Sequence, residues 1–250
     1  MKLALTPDTR WSIDFAELIP LVGASGFTAL GCPAPRATAQ TRQAFDDAAL
    51  ECHELMALMI TEDSERTLAF AERLATAAGT MTIPWVNTVF VAEPAPEVAK
   101  TITRCAAIFE AAGTAMAVEF SPTGTVPGIA EGLEVMEIAG HGARLLVDTW
   151  HFALGPSTWE DLSGLAGEKI AYLQFCDAAA PVSGDLMDET MNRRLLPGQG
   201  IADVQRFTDL VRGNGFDGYV SVEVLSEELR SRPVGESVTA VFDAAARYWG

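Results

Sequence analysis

Oxygen-bearing side chains follow short apolar stretches in the second half of the chain. Four such stretches each carry one carboxylate or amide near their end, and the four residues are Glu119, Asp148, Gln174 and Glu223. One acid at a strand end usually caps a helix, but three converging carboxylates repel one another unless a cation lies between them. An all-oxygen set suits Mg2+ or Mn2+ better than a zinc thiolate site. The pattern therefore predicts a site for one divalent cation.

Such a cation defines the chemistry that these residues could perform. Bound to a ketone oxygen and a neighbouring hydroxyl, it stabilises the enediolate formed when the intervening proton leaves. Glu119 and Glu223 are the candidate bases, and His151, three residues after Asp148, is a candidate acid. Returning the proton gives isomerisation or epimerisation, whereas losing a β-hydroxyl gives dehydration. All three reactions share the first step, so the residue pattern leaves them open.

The elements that must position these residues are eight short apolar stretches that alternate with helix-like segments. The stretches begin near Lys2, Phe27, Leu55, Met81, Ala115, Arg144, Ile170 and Gly218. They are apolar at nearly every position, as expected of parallel strands that are buried on both faces. Eight such units in 250 residues predict a single (β/α)8 TIM barrel domain over residues 1–250. The rival, a doubly wound sheet, would usually carry a glycine-rich fingerprint after an early strand, and none is present there.

Helix signals support this order. Starts are predicted at Asp14, Ser64, Pro96, Asp203 and Ser237. A long segment, 178–200, follows the seventh stretch and is predicted to be an extended lid or substrate loop on the functional face. Within it, Gly198-Gln199-Gly200 either cradles an anion or makes a simple turn, and the turn is the favoured interpretation.

The bulk composition excludes several classes of protein. The formal net charge of −17 would repel phosphate backbones and anionic membranes, which argues against nucleic acid as a partner. No apolar run approaches the ~18 residues of a membrane span, and the N-terminus lacks a signal-peptide core. The four cysteines are scattered, as is typical of reduced, buried thiols in a cytoplasmic protein. A small molecule is the expected partner.

From Val118 to Val224 the chain resembles the xylose-isomerase-like superfamily of sugar isomerases, epimerases and dehydratases. VEF, VDTWHF, YLQFCD, RLLPGQGIAD and GYVSVEV occur in the order and approximate spacing of that family. The resemblance implies one divalent metal, Mn2+ or Mg2+ with Co2+ or Zn2+ as alternatives, and a homodimer or homotetramer. It places the metal on Glu119, Asp148, Gln174 and Glu223, and substrate contacts on His151 and Arg194.

One departure from the family pattern bears on the substrate. Many members carry histidine at the position of Gln174, and glutamine there is similar to the dehydroshikimate-dehydratase branch. The first hypothesis is a metal-dependent isomerase or epimerase of a keto sugar or polyol ketone. The alternative is a dehydratase of a cyclic hydroxyketone such as 3-dehydroshikimate or an inosose, and the third is a non-catalytic binding barrel. Trp85 is predicted either to wall the pocket or to pack in the core, and Asp177 is predicted to orient loop or ligand groups.

Overall fold

The computed structural model describes residues Met1–Gly250 and contains a closed barrel of eight parallel strands. Strands are numbered along the chain, and β8 (Asp177–Ala178) and β9 (Arg194–Leu195) form a small antiparallel ribbon outside the barrel. The barrel strands are β1 Lys2–Leu5, β2 Ala29–Pro33, β3 Glu51–Ile60, β4 Trp85–Phe90, β5 Ala115–Glu119, β6 Arg144–Asp148, β7 Ile170–Phe175 and β10 Tyr219–Val222. Each pairs with its neighbours in chain order, and β1 closes the ring against β10 and β2. The predicted TIM barrel is confirmed.

Helices cover the outside of the barrel. They are α1 Phe15–Ala24, α2 Ala39–Asp47, α3 Ser64–Met81, α4 Pro96–Ala111, α5 Ile129–Ala139, α6 Thr149–Leu154, α7 Trp159–Ser163, α8 Leu186–Asn192, α9 Val204–Gly213, α10 Glu227–Arg230 and α11 Val234–Trp249. The side chains of Asp14 and Asp203 cap α1 and α9 by accepting backbone N–H bonds, so both predicted starts are confirmed. None of the helices is long and apolar enough to cross a membrane.

Some predicted boundaries were wrong. Helix α3 runs to Met81, and Thr82, with a φ of 56°, turns the chain out of the helix. The fourth strand therefore begins at Trp85 rather than near Met81. Helix α11 begins at Val234, three residues before the predicted start at Ser237. The first turn of α11 contains Gly235 and Glu236, which are not apolar, so the apolar pattern could not mark this start.

Two apolar clusters hold the barrel together. A cluster of 61 buried residues fills the space between the strands and the helices. A second, small cluster lies inside the barrel and consists of Ala117, Leu146, Ala171 and Tyr172, with Trp85 and Tyr219 packed against it. The inner side chains of the strands therefore close the barrel below its C-terminal end, as in other packed barrels of this kind.

Residues 178–200 are more ordered than an extended loop, which corrects the sequence prediction. They include the end of β8, all of α8 and β9. Asp8, just after β1, accepts bonds from Arg10 and Arg230, and both arginines also bond the end of α8 through the Met191 carbonyl. The segment is thus tied to β1 and α10, and forms a wall beside the C-terminal end of the barrel.

Candidate active site

The four oxygen-bearing residues lie together at the C-terminal end of four adjacent strands, here called the mouth. Glu119 ends β5, Asp148 ends β6, and Asp148 pairs in register with Gln174 on β7. Glu223 follows β10, and its backbone N–H donates to the Phe175 carbonyl. Because β5, β6, β7 and β10 are consecutive around the barrel, the side chains form one arc. The sequence pattern predicted this neighbourhood.

His151 joins two members of the arc. Its Nε2 lies 3.1 Å from Glu119 Oε1 and 3.7 Å from Asp148 Oδ2. The spacing of three residues has a local cause, because Asp148 also caps α6 by accepting from the Trp150 and His151 N–H groups. Ligand atoms of Glu119, Asp148 and His151 all lie within 4.8 Å of one another, close enough to hold one metal ion.

Arg194 occupies the other side of the arc. Its Nη1 donates to Asp148 Oδ2 at 2.7 Å and to Glu223 Oε2 at 2.9 Å, and its Nη2 donates to Thr190 Oγ1 at 2.9 Å. The arginine is only 2% exposed. The sequence predicted a substrate contact for Arg194, and its guanidinium here compensates two buried carboxylates of the arc.

This charge pattern separates the two acids that Arg194 contacts. Burial alone would raise the pKa of Asp148, but Arg194, His151 and the backbone donor of Trp150 together hold that pKa below its ordinary value. Burial raises the pKa of Glu223 well above its ordinary value, and the charges of Asp148, Glu119 and Glu54 add to this while Arg194 opposes it. The mouth therefore holds one firmly ionised acid and one that retains a proton more readily.

The residues of the arc fit a divalent cation. Gln174 Oε1 is buried and has no hydrogen-bond partner, a condition that costs about 1–3 kcal/mol for a neutral polar atom. An amide oxygen left in this state beside two carboxylates is a suitable ligand for a hard cation. The ligand atoms of Glu119, Asp148 and His151 form one close group of oxygen and nitrogen donors, and Arg194 links Glu223 to Asp148 at its edge.

Asp177 and the glycine-rich turn have a structural role. Asp177 Oδ2 accepts from the Gly198 N–H and Oδ1 accepts from the Ala202 N–H, both at 2.9 Å. A Cβ on Gly200 would collide with the Ala178 carbonyl and with Asp177 itself. The turn thus encloses a carboxylate of this chain, and these two amides are not free to bind a phosphate.

Trp85 does not lie at the mouth, which corrects the prediction that it walls the pocket. It is the first residue of β4, pairs with Ala115 at the start of β5, and packs against the apolar cluster inside the barrel. The guanidinium of Arg144, at the start of β6, lies 5.6 Å from its ring centre. Strand starts form the N-terminal end of the barrel, so the core interpretation of Trp85 is the correct one.

A buried polar cluster below the mouth was missed in the sequence. The hydroxyls of Thr6 and Tyr172 both donate to the carboxyl of Glu54 on β3, and Ser221 Oγ lies 2.6 Å from Thr6 Oγ1. We call Thr6, Glu54, Tyr172 and Ser221 the floor. Burial raises the pKa of Glu54 to about 7, although its two hydroxyl donors lower it. The available signal was a single acid within the apolar run ECHELMALMI.

Two further residues lie near the arc. Asn87 is a single amide in the apolar strand WVNTVF, and the sequence pattern did not single it out either. Burial raises the pKa of the Cys176 thiol to about 12, so this cysteine is a poor nucleophile.

Comparison with known proteins identifies the fold family. A model of the family described as xylose isomerase-like TIM barrel matches residues 18–245. The chain belongs to this family. The inosose isomerase of Bacillus licheniformis is 30% identical over 142 residues, 56% of this chain and 50% of that protein. The 3-dehydroshikimate dehydratase of Pseudomonas aeruginosa is 30% identical over 89 residues, 36% of this chain and 14% of that protein. The matched region thus spans about half the length of the inosose isomerase, and both relatives are enzymes.

Solved structures share the fold at lower identity. The IOLI protein, solved with a bound zinc atom, superimposes with a TM-score of 0.87 at 20% identity, covering 99% of both chains. A D-psicose 3-epimerase solved with D-fructose gives a TM-score of 0.78 at 14% identity, covering 99% of this chain and 98% of that one. These similarities show that the barrel fold is shared.

Proposed function

We propose that this protein is a divalent-metal-dependent isomerase or epimerase of a keto sugar or related polyol ketone. The observation that carries the proposal is the close group of Glu119, Asp148 and His151, with Glu223 linked to Asp148 through Arg194 and the unpartnered Gln174 oxygen on the next strand. Similarity to inosose isomerases, whose name indicates a cyclic polyol ketone as substrate, supports it. Glu119, Asp148, Gln174 and Glu223 would hold the cation, with Mn2+ or Mg2+ favoured by the oxygen donors.

The residues of the mouth have distinct tasks in this proposal. A bound cation supplies a Lewis acid that stabilises charge on a ketone oxygen. Glu119 and Glu223 approach from opposite ends of the arc, so each can take or return a proton at the carbon beside the carbonyl. Arg194 holds Asp148 and Glu223 in place through its two short bonds. His151 orients Glu119 and can hand a proton to a substrate oxygen.

A second candidate is a dehydratase of a cyclic hydroxyketone. It is favoured by His151, because a dehydratase needs an acid at the departing hydroxyl and His151 Nε2 lies beside the candidate base Glu119. Similarity to the 3-dehydroshikimate dehydratase, over a short part of that protein, is consistent with it. The two candidate reactions differ only in the step after proton removal.

Metal content is the measurement that tests the proposal. The protein, purified without a metal-binding tag, should contain or take up about one equivalent of Mn2+ or a similar cation, and chelator should lower its melting temperature. Glu223→Gln should weaken metal binding at least tenfold, since it removes one charged ligand. The control is Glu227→Gln, an exposed acid on α10 that should change neither property.

Product analysis then separates the candidates. Isomerisation of a keto sugar or inosose leaves the mass unchanged, whereas dehydration creates a conjugated product that absorbs in the ultraviolet. If no cation binds under any loading condition and chelator leaves the melting temperature unchanged, the enzymatic proposal fails. A non-catalytic binding barrel is then the remaining interpretation.

A further inference from the structure

Asn87 lies on the inner face of the barrel, directly below the arc. It pairs in register with Ala117, which lies two residues before Glu119 on β5. Side chains two residues apart point to the same face of a strand, so Asn87 faces the interior one step below Glu119. The alternation on β4 agrees, because Trp85 packs inside the barrel while Val86 and Phe90 belong to the core outside it.

The side chain of Asn87 has no structural partner. The residue is 5% exposed, and its Oδ1 is buried without any hydrogen bond. None of the side-chain hydrogen bonds in the molecule involves its amide, in contrast to the floor, where every hydroxyl is paired with Glu54 or a neighbour. A valine or leucine would fill this position in an apolar strand without leaving a polar atom unpaired. A ligand group that bonds the amide would account for its presence.

The surrounding charges indicate what kind of group that is. Arg194, the arginine of the arc, is already bonded to Asp148 and Glu223. Near the glycine-rich turn, the N–H groups of Gly198 and Ala202 donate to Asp177, and the Gln199 N–H donates to the Leu196 carbonyl. Glu119, one step above Asn87, presents a carboxyl group that would repel an anion. Neither a phosphate nor a carboxylate would find an uncommitted cation or backbone amide among these groups, whereas a hydroxyl can both donate to and accept from an amide.

We propose that Asn87 binds a hydroxyl group of the substrate, and that the substrate is therefore a neutral polyol ketone that carries no phosphate or carboxylate. This inference rests on the proposed function, because the ketone end of the same molecule would lie at the arc above. Asn87 extends the arc of polar side chains by one strand, from β5 to β4, and is a specificity-determining residue.

The test measures the affinity of polyols that cannot react. In the presence of Mn2+, calorimetry compares myo-inositol with shikimate, and sorbitol with sorbitol 6-phosphate. The neutral member of each pair should bind at least about tenfold more tightly. Asn87→Leu is similar in size but apolar. It should lower the affinity for the neutral polyols by about tenfold, the effect of losing one hydrogen bond to a buried group. Mn2+ affinity, measured without polyol, should be unchanged.

Controls separate a binding role from a folding defect. Thr88→Val changes the next residue, whose side chain bonds the Val86 carbonyl, and should leave every affinity unchanged. If Asn87→Leu does not fold, Asn87→Ser serves instead, with a smaller loss expected because its hydroxyl is shorter. A crystal of the wild type with myo-inositol should place a hydroxyl within hydrogen-bond distance of the Asn87 amide.

Unchanged polyol affinity in the folded Asn87 variant would overturn the inference. Tighter binding of the anionic probes would overturn it as well, and in both cases the metal site and the proposed function would stand. A wild type that binds no divalent cation would overturn the proposed function, and this inference with it.

Discussion

The mouth and the floor of the barrel treat the same chemical group in opposite ways. At the mouth, Asp148 is fully buried but contacts Arg194 and His151, and these charges hold its pKa below the ordinary value. At the floor, Glu54 is equally buried but is bonded by the hydroxyls of Thr6 and Tyr172, and its pKa rises to about 7. Since Asp148 and Glu54 are equally buried, the cationic partners of Asp148 account for the difference between these two pKa values. Glu223, which contacts Arg194 but also faces other carboxyl groups, keeps a raised pKa.

This difference separates binding from support. Charged carboxylates at the mouth can hold a divalent cation, and they need a positive partner to remain there. Glu54, whose pKa is raised to about 7, retains a proton more readily and so adds less negative charge beneath them, while it links β3 to β7 and to the residue after β1 through hydrogen bonds. Gly31 on β2 accommodates it, because a Cβ at that position would collide with the Glu54 carboxyl.

The largest effect is expected when the mouth loses its cationic partner. Arg194→Met should lower the free energy of unfolding by about 3–5 kcal/mol, because Asp148 and Glu223 are left buried without a compensating charge. Urea unfolding of the purified variant measures this loss. Added Mn2+ should restore part of the stability, since a cation would then lie between the same carboxylates.

The neighbouring arginine provides a matched control. Arg193 bonds Glu189 and its side chain is 37% exposed, so Arg193→Met should cause a much smaller loss that Mn2+ does not restore. Equal losses in the two variants would contradict the view that the mouth depends on charge compensation.

The floor should make the stability of the protein depend on pH. Glu54 has an ordinary pKa of 4.5 and a pKa of about 7 in the folded protein. Between these values the folded chain binds a proton that the unfolded chain has released, so the free energy of unfolding falls as pH rises. The stabilisation is complete below about pH 4.5 and lost through pH 7, a change on the order of 3 kcal/mol. Glu54→Gln should therefore exceed the wild type in stability at pH 8 and lose that advantage towards pH 5.

Urea unfolding from pH 5.5 to 8 checks this prediction as the difference between the two proteins. Other ionisable groups near Glu54 are Glu119 and Glu223 at the mouth and His53 beside it. They are present in the wild type and in the Glu54→Gln variant, so their contributions to the difference in stability largely cancel. Glu62→Gln changes an exposed acid just after β3, and its free energy of unfolding should differ from that of the wild type by the same amount at every pH. A constant gap between wild type and Glu54→Gln would mean that Glu54 is charged throughout, and the comparison of mouth and floor would fail.

The sequence revealed the mouth more readily than the floor for a physical reason. Acids that end apolar strands stand out, and the barrel order brings Glu119, Asp148 and Glu223 together by topology alone. Glu54 lies within a strand and faces the interior beside Gly31, in register with Trp85. The pattern of apolar residues along one strand does not give its register with the neighbouring strands. The sequence did not predict the partners of Arg194 either. The path of residues 178–200 determines which carboxylates the guanidinium contacts, and the sequence does not give that path.

Substitution of Trp85 should have the smallest effect on stability. It tests whether ligand binding depends only on residues at the mouth. Trp85 lies at the N-terminal end, packed against the apolar cluster inside the barrel. Trp85→Phe should lower stability by about 1 kcal/mol, because the smaller ring fills the inner cluster less completely. Calorimetry with Mn2+ and with myo-inositol should give wild-type affinities. A tenfold loss of polyol affinity would show that the inner cluster transmits changes to the mouth, because Trp85 itself is too far down the strand to touch a ligand there.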